Sequence, residues 1–411
     1  MLPPSPVTCA ILALAALASA VSTANDKYTA HTSNGPIIGH DAPGDVIEYL
    51  GIPYAQPPTG PLRFAAPQKY VNSANNATFI ASHYGPTCPQ TPSARVAYPD
   101  RTPQSQRIVA AFAGQLNHTQ SEDCLTLNIW TPASASPSTS SPGNATEPPL
   151  PILVFIHGGR FTIGESHTPF FAGAPLSSSQ RLVVVTLNYR VGIFGFPASP
   201  SASKNLAFRD QRLAVEWVAV EWVAVNAASF GGDAARIVVA GQSAGGAAPY
   251  LVGNTHFEAG YYRWAAYGAG SILTNAQWDA FNLATFTCPS THGAAARARF
   301  GVPSWLFRYG ADWDNLRLYP NSSAYHGSDM HALFGNSERV TGIPDEERQK
   351  RLTQVVMGAW AAFARDPWRG LEELGWGQYA NDTLVELGFN KSAVPSFVSP
   401  MKYAAESVDF K

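Results

Sequence analysis

A short apolar run that ends in a glycine-serine turn constrains this chain more than any other feature. Residues Ile237–Ala240 are apolar and lead directly into Gly241-Gln242-Ser243-Ala244-Gly245. A β-branched run followed by G-x-S-x-G is typical of a buried strand, a cramped turn and a helix, with the serine at the apex of the turn. The glycines are needed because the residues two before and two after the serine face neighbouring backbone, where a Cβ has no room. Ser243 is therefore the first candidate nucleophile; the alternative is an ordinary serine in a glycine-rich loop.

A second glycine turn lies upstream, where an apolar strand ends in His157-Gly158-Gly159-Arg160-Phe161. Backbone N–H groups of an H-G-G-x turn can line a hole for a developing oxyanion. The N–H of Ala244, the residue after the candidate nucleophile, supplies a further donor. Alone, the H-G-G sequence could be a plain strand-terminating turn. Paired with the serine turn downstream, it indicates acyl-transfer chemistry.

The apolar runs and helical patterns alternate along the chain. Strands are predicted over Leu125–Thr131, Pro151–His157 and Arg181–Arg190, the last two rich in Val, Ile and Leu as buried central strands are. Such alternation predicts an α/β fold with a mostly parallel central sheet and helices on both faces. The Ser-, Pro- and Thr-rich segment Pro132–Pro149 is interpreted as a surface loop, because the strands on either side belong to one predicted sheet.

Two helices are predicted from apolar periodicity. The first covers Asp210–Val225 and contains a duplication, since Ala214–Val218 is repeated residue for residue in Ala219–Val223. Five extra residues rotate whatever follows by about 140°, so this helix either carries two apolar faces or bulges. The second covers Asp345–Arg365 and ends before Asp366-Pro367.

The charge balance limits the partners. Charged residues make up 14% of the 411 residues and the formal net charge is -2, which argues against nucleic acid or an anionic membrane as the partner. Residues 1–24 carry no charge, and the apolar run Val7–Leu17 precedes Ala18-Ser19-Ala20. This pattern predicts a signal peptide over residues 1–20 and an extracellular, secreted protein. The run is shorter than the ~20 residues of a spanning helix, so we expect no stable membrane insertion.

Glycosylation and disulfide formation are the modifications expected of a secreted chain. Six N-x-S/T sequons are present, at Asn76, Asn117, Asn144, Asn321, Asn381 and Asn390. Removal of the signal peptide leaves three cysteines, Cys88, Cys124 and Cys288. An odd number leaves at least one thiol unpaired.

Several further motifs resemble those of one family. The chain resembles the secreted type-B carboxylesterases and lipases, the cholinesterase-like branch of the α/β-hydrolases, and its fungal members most of all. Besides the two glycine turns, the matching segments are Gly51–Ala55, Leu62–Phe64, Ser121–Leu125, Asn188–Gly192, Asn205–Gln211, Phe230–Asp233, Ala324–Asp329 and Ala362–Pro367. The resemblance implies one α/β-hydrolase domain over residues 25–405.

The resemblance also implies residue roles. Ser243 would be the nucleophile and His326 the base, while the N–H groups of Gly159, Arg160 and Ala244 would form the oxyanion hole. Cys88 and Cys124 match the family disulfide. Small-molecule or lipid esters would be the substrates, with no cofactor. We expect no metal, because no two histidines have ligand spacing along the chain; His326 and His331 are five residues apart.

The third member of the family's triad, usually a Glu in its own loop, has no counterpart here. Only 83 residues separate Ser243 from His326. We therefore expect one strand of the family's sheet, and the cap over its substrate site, to be missing from this chain. The strand before the gap is assigned to Arg263–Ile272 and the strand after it to Ser304–Tyr309, and the two are expected to pair. The acids in this interval are Glu258, Asp279, Asp312 and Asp314. Each is expected at the surface, and Asp279 is the best candidate for the triad acid.

The sequence therefore predicts a secreted serine carboxylic-ester hydrolase that forms an acyl-enzyme on Ser243. The alternatives are a catalytically impaired esterase-like binding protein and an incomplete version of a longer esterase. Intact Ser243 and His326 favour the enzyme, whereas the missing acid favours the alternatives.

Overall fold

The structure is a computed structural model that describes residues 27–72, 77–91, 100–112, 114, 116–136, 148–200, 202–216, 226–247, 253–255, 277, 283–320, 322 and 324–403. Within these ranges, none of the helices is long and apolar enough to cross a membrane. The predicted signal peptide lies outside them, as do Asn76, Asn144 and Asn321. The three described sequon residues, Asn117, Asn381 and Asn390, are exposed.

Thirteen strands of the described residues form three sheets. The six-stranded sheet has the order β3-β4-β6-β8-β7-β9, a four-stranded sheet has the order β10-β11-β12-β13, and β1, β2 and β5 form a small third sheet. The strands are β1 Thr29–Thr32, β2 Gly35–Ile38, β3 His40–Ala42, β4 Val46–Pro53, β5 Phe79–Ile80, β6 Thr126–Pro132, β7 Leu150–Ile156, β8 Val183–Leu187, β9 Gly232–Gly241, β10 Gly253–Thr255, β11 Leu306–Tyr309, β12 Leu384–Leu387 and β13 Ser396–Val398.

The helices connect and cover these strands. They are α1 Ser105–Phe112, α2 Ala174–Gln180, α3 Gly192–Gly195, α4 Leu206–Glu216, α5 Cys288–Arg299, α6 Asp329–Phe334, α7 Ser337–Thr341, α8 Glu347–Arg365 and α9 Gly370–Glu373. Short 3-10 turns and one π-helical turn, Leu283–Thr287, complete the described elements.

The central strands are apolar on both faces because helices cover both. In β7, Leu153 and Phe155 face one core with helices α2 and α8, whereas Ile152, Val154 and Ile156 face the other core with α4. This alternation follows from the period of two along a strand. Strands β7 and β8 are fully buried and pair in parallel, and β7 also pairs in parallel with β9. The edge from β3 to β6 is antiparallel.

The predicted strands and helices are found with small shifts at their ends. Strands β6, β7 and β8 occupy the three predicted strands, and the flanks of the Pro132–Pro149 loop belong to one sheet, as expected. Helix α8 begins two residues later than predicted, at Glu347, where Glu346 and Gln349 form a capping box. Helix α4 begins four residues earlier than predicted, and the second copy of the duplication, Ala219–Val223, lies outside the described residues.

One predicted strand pairing involves residues outside the described ranges. Strand β11 pairs in parallel with β10 on one edge and with β12 on the other. The partner expected for Ser304–Tyr309, the segment Arg263–Ile272, lies outside the described residues.

The disulfide assignment is confirmed. Cys88 and Cys124 are bonded, with their Cα atoms 5.1 Å apart, and Cys288 at the start of α5 is a free, half-buried thiol. The bond closes a loop of 36 residues and stabilises the fold by about 4 kcal/mol if its effect is the entropy lost by the unfolded chain.

Candidate active site

Ser243 occupies a strained turn directly after strand β9. Its φ is +55°, in the left-handed region that a non-glycine residue rarely adopts. A Cβ on Gly241 would overlap with the carbonyl oxygen of Gly245, and a Cβ on Gly245 would overlap with that of Ile156. Both glycines are therefore sterically required, as the sequence predicted. Strain of this kind costs roughly 1–3 kcal/mol and is concentrated at functional sites.

The H-G-G turn lies against the serine turn. A Cβ on Gly158 would be only 2.8 Å from the Cβ of Ser243, so these two turns touch at a glycine. The next three residues, Gly159, Arg160 and Phe161, all have positive φ, at 114°, 56° and 60°. The carbonyl oxygen of Gly159 accepts hydrogen bonds from the N–H groups of Thr162 (3.0 Å) and Ile163 (3.1 Å). The strained backbone of this turn thus faces the residue proposed as nucleophile.

A buried ion pair, Arg190–Asp210, fixes the chain segment that hydrogen-bonds to the H-G-G turn. The N–H of Gly192 donates to the carbonyl oxygen of Phe161 at 2.7 Å. Two residues earlier, the guanidinium of Arg190 binds both carboxylate oxygens of Asp210 at 2.7 Å, and its backbone N–H donates to the same carboxylate at 3.0 Å. Because Asp210 lies in α4, the pair fixes the segment after β8 to a helix that packs on the sheet.

His326 is buried beside the serine turn. It precedes α6, and its ring is tilted against that of Phe286, with the centroids 5.2 Å apart. Its Nε2 lies 3.1 Å from Nε2 of Gln242, the residue before Ser243. An amide nitrogen only donates, so the ring Nε2 accepts and the ring proton is assigned to Nδ1. The structure therefore brings Gln242, Ser243 and His326 together at the carboxyl end of β9.

His157 also lies next to the serine turn, but its environment suits a structural role. It is fully buried, stacks on Tyr189 with ring centroids 4.4 Å apart, and directs Nδ1 at the carbonyl oxygen of Gly158 (2.8 Å). Burial lowers its pKa to about 4. An imidazole that stays neutral and packed inside the core is a poor proton shuttle, which leaves His326 as the base candidate.

Two of the four candidate acids are surface groups, as expected. The guanidinium of Arg317 binds Asp312 at 2.7 Å and Asp314 at 3.1 Å, and Lys391 lies 3.2 Å from Asp314. Both carboxylates thus belong to a solvated ion-pair cluster. Glu258 and Asp279 lie outside the described residues.

Comparison with known proteins identifies the family of this chain. Residues 26–282 match the model of the carboxylesterase family, and they include both glycine turns. The chain belongs to the carboxylesterase family.

Individual relatives match between 55% and 65% of the chain. Cholinesterase of Mus musculus is 35% identical over 246 residues, which are 56% of this chain and 35% of that protein. Chlorogenic acid esterase of Aspergillus niger is 37% identical over 232 residues, 55% of this chain and 40% of that protein. Neuroligin-3 of Mus musculus is 31% identical over 293 residues, 65% of this chain and 34% of that protein. The chain thus spans about a third to two fifths of the length of these relatives.

Solved esterase structures have the same fold. A PNB esterase aligns with a TM-score of 0.72 at 21% identity, covering 92% of this chain and 99% of that one. A thermophilic PNB esterase aligns with a TM-score of 0.69 at 20% identity, covering 93% and 99%. The predicted α/β-hydrolase fold is confirmed.

The sequence did not indicate two features of the structure in and near the candidate site. One is the contact of Gln242 with His326, which joins residues 84 positions apart. The other is a buried cluster that follows the H-G-G turn, in which Glu165 contacts His118, His167 and Thr87. Burial alone would raise the pKa of Glu165, but the hydrogen bonds and charges of His167, with Thr87 and His118, hold it at about 2. No spacing along the chain signals either feature, because each joins separate segments.

Proposed function

We propose that this chain is a secreted serine carboxylic-ester hydrolase with its catalytic domain over residues 25–405. The observation that carries the proposal is the strained backbone of Ser243 at φ +55°, packed against the H-G-G turn. Such strain is retained where it presents a nucleophile at the carboxyl end of a central strand. Membership of the carboxylesterase family supports the same chemistry.

The proposed reaction is acyl transfer through Ser243. Its Oγ attacks the ester carbonyl carbon while His326 Nε2 accepts the Oγ proton. The N–H groups of Gly159, Arg160 and Ala244 stabilise the oxyanion, whose collapse expels the alcohol with the proton carried by His326. Water then attacks the acyl-enzyme, again with His326 as base, and releases the carboxylic acid and free Ser243.

Gln242 sets a condition for this reaction. Its amide N–H donates to His326 Nε2, the lone pair that must accept the Ser243 proton. Substrate binding must therefore be accompanied by a small rotation of either side chain, which exchanges the Gln242 donor for the Ser243 hydroxyl. Before substrate binds, Gln242 holds the imidazole in the tautomer with its proton on Nδ1, which leaves Nε2 free to act as a base.

Small-molecule or lipid esters are the proposed substrates. Chlorogenic acid esterase and cholinesterase are named for ester substrates, and each is similar to more than half of this chain. The net charge of -2 offers no strong field for a highly charged substrate.

Secretion is supported by the modification sites. The Cys88–Cys124 bond requires an oxidising compartment, and Asn117, Asn381 and Asn390 are exposed to a glycosyltransferase. Export from a eukaryotic host should remove residues 1–20, and an endoglycosidase should then increase the mobility of the product on a gel.

A fluorophosphonate probe tests the catalytic proposal. The purified protein should be phosphonylated on Ser243, and Ser243→Ala should lose the label. Ser134→Ala is the matched control. Ser134 is exposed and contacts Arg181, which lies just before the amino end of β8. Ser243 follows the carboxyl end of a parallel strand, so the two serines lie at opposite ends of the strands. Labelling that persists in Ser243→Ala would refute the assignment.

A catalytically impaired binding protein is the second candidate. The observation that favours it is the engagement of Asp312 and Asp314 by Arg317, which removes two of the four acids between Ser243 and His326 from consideration. A protein of this kind, or an incomplete version of a longer esterase, would bind esters without turning them over. Absence of probe labelling in the folded protein would favour these alternatives.

A further inference from the structure

The cluster at Glu165 combines the side chains of three separate chain segments. His118 Nδ1 lies 2.8 Å from Glu165 Oε1, and His167 Nε2 lies 3.1 Å from Glu165 Oε2. The two imidazole rings have centroids 4.5 Å apart, and Tyr84 stacks on His167. One potential ligand atom from each of His118, Glu165 and His167 lies within 4.8 Å of the other two.

The carboxylate of Glu165 is unusual for its burial. Its side chain has no exposed surface, and no Lys or Arg in the described part of the chain pairs with it. A buried charge needs a compensating charge or full hydrogen bonding. Here the charge can be compensated by protons on the two imidazoles or by a cation that binds all three side chains.

The geometry fits a cation. Ligands at ~2.0–2.1 Å around a tetrahedral zinc ion lie roughly 3.3 Å from one another. The two imidazole nitrogens lie 2.8 and 3.1 Å from different oxygens of Glu165, and the three potential ligand atoms lie within 4.8 Å of one another. Small side-chain rotations therefore bring one atom of each residue to that separation. Two imidazoles and one carboxylate are also a donor set that borderline divalent transition metals prefer.

We propose that His118, Glu165 and His167 form a binding site for a divalent transition-metal ion of the zinc type, with water as the fourth ligand. The imidazole of His118 is 36% exposed, which gives the ion a path from solvent, whereas His167 is only 4% exposed. The hydroxyl of Thr87 donates to Glu165 Oε2 and orients the carboxylate from outside the ligand set. On binding, the ion takes the place of the protons that the imidazoles donate to Glu165; a neutral ring moves its proton to the other ring nitrogen, and a protonated ring releases one proton to solvent.

The site would tie together segments that surround the two glycine turns. Thr87 adjoins the disulfide residue Cys88. Gly164, which precedes Glu165, accepts a hydrogen bond from Gln90 Nε2 at its carbonyl oxygen and donates its N–H to Gln90 Oε1. A bound ion would therefore stabilise the backbone beside the H-G-G turn. Neither Ser243 nor His326 is among its ligands, and the inference is independent of the proposed ester hydrolysis.

Titration of the metal-stripped, full-length protein with zinc chloride tests the site. Calorimetry should find one zinc ion per chain, and cobalt(II) should give the intense visible bands of a four-coordinate site. His118→Asn and His167→Gln should each weaken zinc binding by at least about 100-fold, since each removes a ligand. Zinc should raise the thermal midpoint of the wild type but not of His118→Asn.

The control is His83→Asn, which removes an exposed histidine that contacts Ser82 and should leave zinc binding unchanged. If His167→Gln does not fold, the half-exposed His118 variant and the cobalt spectrum of the wild type decide the question. The proposal is overturned if the folded wild type binds no stoichiometric zinc, or if His118→Asn binds it as tightly as the wild type does. Fluorophosphonate labelling of Ser243 should be the same with and without the ion.

Discussion

At the scale of single residues, three of the thirteen non-glycine residues with positive φ in the described chain lie on the two turns of the proposed site. Ser243, Arg160 and Phe161 all adopt positive φ without being glycine, and they lie on two turns in contact with each other. Each such residue costs roughly 1–3 kcal/mol, which the surrounding core must offset. These residues therefore mark a site that the fold maintains at a cost in stability.

A buried histidine elsewhere makes stability depend on pH. His331 packs on Phe170, with ring centroids 4.3 Å apart, and within the described chain neither of its ring nitrogens has a hydrogen-bond partner. Burial lowers its pKa to about 3, far below the value near 6.5 in the unfolded chain. As the pH falls, the unfolded chain therefore takes up a proton on His331 at a higher pH than the folded chain does. The free energy of unfolding is unaffected by the protonation of His331 above about pH 6.5 and decreases below it. The loss is about 2 kcal/mol at pH 5.

His331→Leu should remove this dependence. We expect urea denaturation to give a free energy of unfolding at pH 7.5 at least equal to that of the wild type, since the variant buries no unpaired polar group. Between pH 7.5 and pH 5 the variant should lose about 2 kcal/mol less than the wild type. The exposed-site variant His83→Asn should keep the wild-type profile. An unchanged pH slope in His331→Leu would show that His331 is not buried as described.

At the scale of elements, the pair Arg190–Asp210 connects a loop to a helix and positions the H-G-G turn. Asp210→Asn leaves the guanidinium buried without its counter-charge, which typically costs 3–5 kcal/mol. Urea denaturation should therefore show a large loss of stability, and probe labelling of Ser243 should fall at temperatures where the variant is still folded. The control is Asp233→Asn, because the Asp233–Arg236 pair is partly exposed and such pairs contribute ~0–1 kcal/mol. Equal effects of the two variants would contradict this role for Arg190–Asp210.

Comparison of these elements with the sequence shows which features a linear pattern can predict. Strands β7 and β8 were predictable because continuous apolar runs are buried on both faces. The serine turn was predictable because close contacts with nearby backbone leave no room for a Cβ at its glycines. The pairing of β11 was not predictable, since it depends on which distant strand, β10 or another, reaches its edge. Likewise, the contact between Gln242 and His326 and the cluster at Glu165 join segments that only the folded chain brings together.

At the scale of the whole molecule, the proposed site is assembled from both halves of the chain. Ser243 and the H-G-G turn come from the six-stranded sheet, whereas His326 lies in the segment between β11 and α6, which continues from the four-stranded sheet. Only 83 residues connect the two catalytic candidates. The proposed base lies against Gln242, the residue before the proposed nucleophile, so the expected rate depends on whether a carboxylate supports His326.

We expect slow ester hydrolysis. In other serine hydrolases, loss of the acid that fixes the imidazole tautomer lowers kcat about ten-thousand-fold, while the oxyanion hole and substrate binding still contribute. Steady-state hydrolysis of p-nitrophenyl acetate should therefore be about ten-thousand-fold slower than for full-length esterases of this family, and His326→Ala should reduce it to the level of Ser243→Ala. Asp312→Asn serves as the control, because Asp312 is committed to Arg317 and its loss should leave the rate unchanged. Turnover equal to that of full-length esterases would contradict the prediction, and a collapse of activity in Asp279→Asn would identify Asp279 as the acid of a complete triad.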